Sequence, residues 1–203
     1  MAQMAELGWH NFSNGLRIAV SLLDNTMITY LALLRGINVG GYRPLKMEEL
    51  REMFTLMGFN NVVTYIQSGN VKFDAENESD QVFARQLHQQ IKETFEYDVP
   101  VFVREQSFVE EVHSGFPFEE REGWIGYVTF LEQEPSPKQI ETLLKINSDV
   151  EQLHVKAREI YSHVDKKTSK KVVFSNSFIE SKCKMSATTR NLRTLERILN
   201  MSS

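Results

Sequence analysis

The chain has one cysteine in 203 residues, Cys183, so no internal disulfide can hold it together. It has no apolar run long enough to cross a membrane. At its start, Trp9, His10, Asn11 and Asn14 interrupt any basic-then-apolar leader. These absences point to a soluble protein of a reducing cytoplasm. The five histidines, His10, His88, His113, His154 and His163, form no His-x3-His or His-Glu arrangement, and nothing in their spacing asks for a metal. The glycines of residues 36–41 fit neither the P-loop nor the dinucleotide fingerprint, and no nucleophile and base can be assembled from neighbouring residues. Adjacent acids such as Glu48-Glu49, Glu110-Glu111 and Glu119-Glu120 read as solvated faces, since neighbours on a helix do not converge on one bond. Catalytic residues, cofactors and enzyme status are therefore left unassigned.

What is present is ordinary globular composition, 41% hydrophobic and 25% charged, with length enough for one large domain or two small ones. Its charge is uneven. Residues 1–154 carry 12 Lys/Arg against 23 Asp/Glu, a balance of −11, and residues 155–203 carry 11 against 4, a balance of +7. Such asymmetry fits a basic surface for nucleic acid or another polyanion, and equally two parts that neutralise each other across an interface.

From Ile28 the elements alternate regularly. An apolar strand runs to Arg35, a glycine loop follows, and a helix from about Lys46 carries Met47, Leu50, Phe54 and Met57 at helical spacing until Gly58 stops it. Residues 62–67 predict a strand, Ser68-Gly69-Asn70 a tight turn, and 71–73 the returning strand. A helix capped at Ser79 or Asp80 then buries Phe83, Leu87, Ile91 and Phe95, and a strand over 99–104 completes a β-α-β-β-α-β series. A short helix is expected at Gln106–Ser114 and a linker at 115–123. The second series predicts a strand at Trp124–Leu131, a helix capped by Ser136 and started by Pro137, and a hairpin over 150–155 and 159–164. A helix over 169–180, a short strand at 183–185 and a last helix over 189–200 finish the chain. The expected fold is α+β, two ferredoxin-like units packed together over 27–114 and 115–203, with an N-terminal extension over 1–26 in which Leu16, Val20 and Leu23 form a helical stripe. The halves repeat as a pattern, without a residue-level repeat.

Three motifs stand out. The first is Tyr30-Leu31-Ala32-Leu33-Leu34-Arg35-Gly36-Ile37-Asn38-Val39-Gly40-Gly41, the second Thr64-Tyr65-Ile66-Gln67-Ser68-Gly69-Asn70-Val71, and the third Thr188-Thr189-Arg190-Asn191 followed by Thr194. Through them the chain, over about 27–200, resembles the bacterial family called domain of unknown function 1697. The resemblance implies a duplicated ferredoxin-like fold and a family whose biochemical role is not established. Two positions depart from its pattern: Lys166-Lys167-Thr168 stands where relatives tend to have a glycine-containing turn, and Leu192 where an aromatic is frequent.

The first motif reads as an anion site. Glycines let backbone amides turn towards a ligand, and Arg35, Gly36, Asn38, Gly40, Gly41, Arg43 and Lys46 surround it with donors. Gln67, Ser68 and Asn70 of the hairpin tip, and Arg190 and Asn191 at what reads as a helix start, are candidate collaborators. The guest would be a nucleotide or phosphorylated metabolite. The rival reading is an interaction or nucleic-acid module using Lys166, Lys167, Lys170, Lys171, Arg193 and Arg197. RNA stacking on Tyr30 and Phe73 would be one form of it, although the aromatic signature of that module is missing. Cys183, between Lys182 and Lys184, has a setting that lowers a thiol pKa, with a buried structural thiol as the simpler reading.

Overall fold

The run Tyr30-Leu31-Ala32-Leu33-Leu34 contains no polar residue because both faces of its strand are covered. In the computed structural model, which describes residues 26–202, β1 (Met27–Leu34) lies inside a four-stranded antiparallel sheet ordered β2-β3-β1-β4, with β2 (Asn60–Tyr65), β3 (Asn70–Glu76) and β4 (Val101–Glu105). Alternate residues Tyr30, Ala32 and Leu34 join a core with α1 (Met47–Leu56) and α2 (Asp80–Phe95), while Leu31 and Leu33 point into a second core. In the first, the Tyr30 ring meets Phe73 and Phe83, and its hydroxyl donates to the Glu78 carbonyl at 3.0 Å. Such aromatic pairs add about 0.5–1.5 kcal/mol each beyond area burial.

A second antiparallel sheet has the order β6-β7-β5-β8, built from β5 (Trp124–Leu131), β6 (Glu151–Lys156), β7 (Glu159–Asp165) and β8 (Ala187–Asn191). Helices α4 (Pro137–Leu144) and α5 (Asn176–Cys183) pack Leu143, Ile179 and Cys183 against Leu131, Leu153 and Ile160. The second core is shared. Leu31, Leu33 and Phe102 of the first sheet meet Val128, Phe130 and Tyr161 of the second, joined by α3 (Gln106–Ser114) and α6 (Leu192–Leu199). Strand β4 runs straight into α3, and β8 into α6. The described residues thus form two four-stranded antiparallel sheets and six helices. The extension expected over 1–26 lies, apart from Thr26, outside them.

The last third departs from the sequence reading. Residues 169–175 are not helical, because the Glu151 carboxylate accepts the N–H groups of Val173 and Phe174 at 3.0 Å and keeps that stretch out of the helix until Ser175 caps α5. The strand expected at 183–185 begins later: Cys183 closes α5, and Lys184 leaves it in a left-handed conformation, φ 54°. Thr188 to Arg190 are not a helix start but part of strand β8, paired with β5, and only Asn191 at its end serves as a helix cap. Their hydroxyls resemble helix caps in the sequence, yet Thr189 Oγ1 contacts Thr129 on the neighbouring strand and donates to Asn176 at the start of α5. Burial pushes the Cys183 thiol up rather than down.

The linker is held by aromatics. Phe116, Phe118 and Trp124 surround His163, whose Nδ1 is buried without a partner. Burial, and then the Arg121 charge, holds its pKa below the usual 6.5. Its neutral form is favoured on folding, so this stabilisation is complete above the unfolded pKa and is lost as pH falls through the folded one. The His163→Phe variant should therefore lose less stability than the parent between pH 7.5 and about 5, read from urea midpoints; parallel losses would contradict this.

Candidate functional site

Beyond Leu34 the backbone enters the left-handed region at Gly36, φ 67°. Asn38, itself at φ 54°, ties the loop together: its amide donates to the Leu45 and Gln67 carbonyls at 2.8 Å each, and its oxygen accepts the Leu45 N–H at 2.8 Å. Gly40 and Gly41, at φ 57° and 80°, are the central pair of a tight turn closed by the Tyr42 N–H on the Val39 carbonyl at 2.9 Å. Two consecutive positive φ values favour glycine there. The turn stands in solvent, with Val39 and Tyr42 exposed. Lys46 points elsewhere and pairs with Glu49 at 2.8 Å.

The three motifs meet at Arg190. Its guanidinium reaches from β8 to the end of β1 and the hairpin tip: Nη2 donates to the carbonyls of Leu34 at 2.8 Å, Ser68 at 3.3 Å and Gly69 at 3.4 Å, and Nε donates to Asn70 Oδ1. Nη1 donates to Thr188 Oγ1 at 2.8 Å and the Thr189 carbonyl at 2.9 Å. Every acceptor is neutral, and burial brings the pKa down to about 10. Asn70 also donates to the Tyr65 carbonyl at 3.1 Å and Ser68 Oγ at 2.9 Å. Arg35 donates to the Ala187 carbonyl at 3.0 Å and pairs with Glu180. Asn191 caps α6, accepting the Thr194 N–H at 2.7 Å. Gln67 is exposed and enters through its backbone carbonyl.

A matching arrangement occupies the other end of the shared core. On β4, Arg104 stands opposite Leu31 as Arg190 on β8 stands opposite Val128. Arg104 Nη2 donates to the Leu131 carbonyl at 2.9 Å, the counterpart of Leu34. Its Nε donates to Glu159 at 3.0 Å, at the first position of β7, where β3 has Asn70. Each arginine also donates to the preceding carbonyl, Val103 or Thr189. The backbones agree too: the N–H groups of Leu34 and Leu131 donate to Gly69 and Arg158, and those of Arg35 and Glu132 to Pro100 and Ser186. The difference is charge. Arg104 has a buried carboxylate, with Asp80 and Arg158 extending the network, whereas Arg190 has an amide. Burial still opposes both charges of that pair, lowering the Arg104 pKa and raising that of Glu159.

The structure therefore brings Arg35, Asn38, Gln67, Ser68, Asn70 and Arg190 together, and leaves Lys46 and the Gly40-Gly41 tip projecting outward. The charge network at Arg104 was missed from the sequence. Its signal was a charged residue within an apolar strand, Val101-Phe102-Val103-Arg104, which requires a partner. Tyr30 and Phe73 lie wholly in the core under the helices, with no ring face for a base. Of the basic C-terminal residues, Lys167 pairs with Glu122 and Lys170 with Asp149.

The fold and clasped strand ends describe a mixed protein of two four-stranded antiparallel sheets. The chain belongs to the family described as protein of unknown function DUF1697, whose profile matches residues 27–161. A solved structure of a conserved bacterial protein from Streptococcus pneumoniae is similar in fold, with TM-score 0.65 and 21% identity over 86% of this chain and 98% of that one. No curated protein matches the chain. The profile includes the first two motifs and ends within β7, before β8 and Arg190.

Proposed function

We propose that this is a cytoplasmic protein of two ferredoxin-like units, 27–114 and 115–203, that binds a small anion, a nucleotide or phosphorylated metabolite, at the glycine loop. The strand order β2-β3-β1-β4, repeated as β6-β7-β5-β8, supports the duplicated unit. The observation that carries the ligand reading is the buried Arg190 guanidinium without a carboxylate in its hydrogen-bond shell, where Arg104 has Glu159. A buried charge without its counter-charge is costly, and a bound anion offsets that cost.

Asn38 and Arg190 have their donors occupied, so they shape the site and set its potential. Direct contact falls to Arg35 and to Arg43, whose guanidinium lies against Gly36, with Glu180 the internal anion a ligand displaces from Arg35. The test is a thermal-shift series with inorganic phosphate and nucleoside mono-, di- and triphosphates, on the parent and on Asn70→Asp. The parent should show a saturable rise in Tm with one of these. The variant places beside Arg190 the carboxylate Arg104 already has, at the loss of the amide's bonds to the Tyr65 carbonyl and Ser68 Oγ, and its ligand response should vanish. No shift in the parent, or an undiminished response in a folded Asn70→Asp, would overturn the reading.

A further inference from the structure

The two clasps differ in one more respect. The alternation of a β ladder, fixed by the Arg35 N–H on Pro100 and the Glu132 N–H on Ser186, turns the backbone groups of Val101 on β4 and of Ala187 on β8 away from the neighbouring strand. These positions match, each lying three residues before its arginine. The Ala187 carbonyl is taken: the Arg35 guanidinium donates to it at 3.0 Å and pairs at the same time with Glu180 on α5. At the other end the counterpart of Arg35 is Glu132, which has no side-chain N–H to give. Among the described residues, the Val101 carbonyl has no donor from the backbone or from a side chain.

The space around the two carbonyls differs accordingly. Ala187, contacted by Arg35, is 0% exposed, whereas Val101 is 9% exposed and lines a cleft of about 870 Å³ between α2 and the chain leaving β5. That volume falls in the range of small-molecule sites, about 300–1,000 Å³. Within the cleft Arg158 pairs with Asp80, Arg104 with Glu159 and His88 with Asp98, while the Glu132 carboxylate forms no ion pair among the described residues. The cleft thus offers an unmatched carboxylate and an unmatched carbonyl, the two acceptors that Arg35 joins at the other end. A guanidinium joins them there because its planar fork gives separate N–H donors and a charge. An ammonium has its donors on one nitrogen, and a urea of the same shape has no charge. Arg85, on the α2 wall, also lacks an ion-pair partner among the described residues and disfavours a ligand with a second positive charge.

We propose that this cleft binds a small guanidinium compound, whose N–H groups donate to the Val101 carbonyl and the Glu132 carboxylate as those of Arg35 do to Ala187 and Glu180. This does not rest on the anion reading, and Asn70→Asp should leave it unchanged. The test titrates the full chain with methylguanidinium, and with methylammonium and methylurea as controls, following backbone amides by NMR. The Phe102 amide, which shares a peptide group with the Val101 carbonyl, should shift saturably with methylguanidinium, at an affinity at least tenfold above either control. Glu132→Arg supplies here the side chain that Arg35 supplies at the other end, and should abolish that shift in a folded chain. Arg35→Ala empties the filled slot and should add a second saturable shift, at the Thr188 amide. No saturable shift at Phe102 in the parent, equal affinity for methylurea, undiminished binding by a folded Glu132→Arg, or no second shift in a folded Arg35→Ala would overturn the proposal.

Discussion

Replacing Arg190 with leucine should destabilise the protein by about 4 kcal/mol, since each buried acceptor left unpaired costs about 1–3 kcal/mol. The acceptors lie on three separated stretches: Leu34 at the end of β1, Ser68 to Asn70 at the hairpin tip, and Thr188 and Thr189 on β8. Leucine fills part of the volume but donates nothing. Lysine keeps the charge and three donors on one nitrogen, so it should recover only part of the loss, because the guanidinium spreads its donors over a plane. Urea denaturation of the two variants beside the parent measures both. A leucine variant with the parental midpoint and slope would show that the clasp adds no net stability.

Gly69→Ala should cost about 3 kcal/mol, from two sources. At φ 74° a side chain is strained, and a methyl group there would fall 2.6 Å from Leu34 Cβ and 2.8 Å from Ile37 Cδ1. Neither neighbour yields easily: both are fully buried, and Leu34 is tied by its N–H to the Gly69 carbonyl at 2.7 Å. Gly40→Ala is the control. Its φ is 57°, but nothing lies within 4 Å of the added methyl, so only the backbone term, about 1 kcal/mol, remains. Equal losses in the two variants would mean that strain alone acts at Gly69.

The order of elements was legible because hydrophobic alternation is local, and β1, α1 and α3 fall where their patterns place them. The halves were legible as a repeated pattern of elements but not residue by residue, because matched positions share a role rather than a residue type. Arginine recurs at 104 and 190, but Asn70 answers Glu159, Arg35 answers Glu132 and Gly69 answers Arg158. The last strand was misread since Thr188 and Thr189 have the chemistry of helix caps, and only pairing with β5 decides their use. The sequence raised a meeting of the three motifs without deciding it. That Arg190 spends all its donors inside could not be anticipated, since its partners lie as far as 156 residues away.

Two arginines each close the opposite sheet's strand ends, around one core that both sheets fill. Each sheet has a core of its own under its helices, but its other face depends on the opposite sheet: Leu31, Leu33 and Phe102 lack cover without Val128, Phe130 and Tyr161. Loosening either sheet therefore uncovers apolar surface on the other, and the two clasps guard that shared core with different charge, Arg104 neutralised by Glu159 and Arg190 held by neutral acceptors alone.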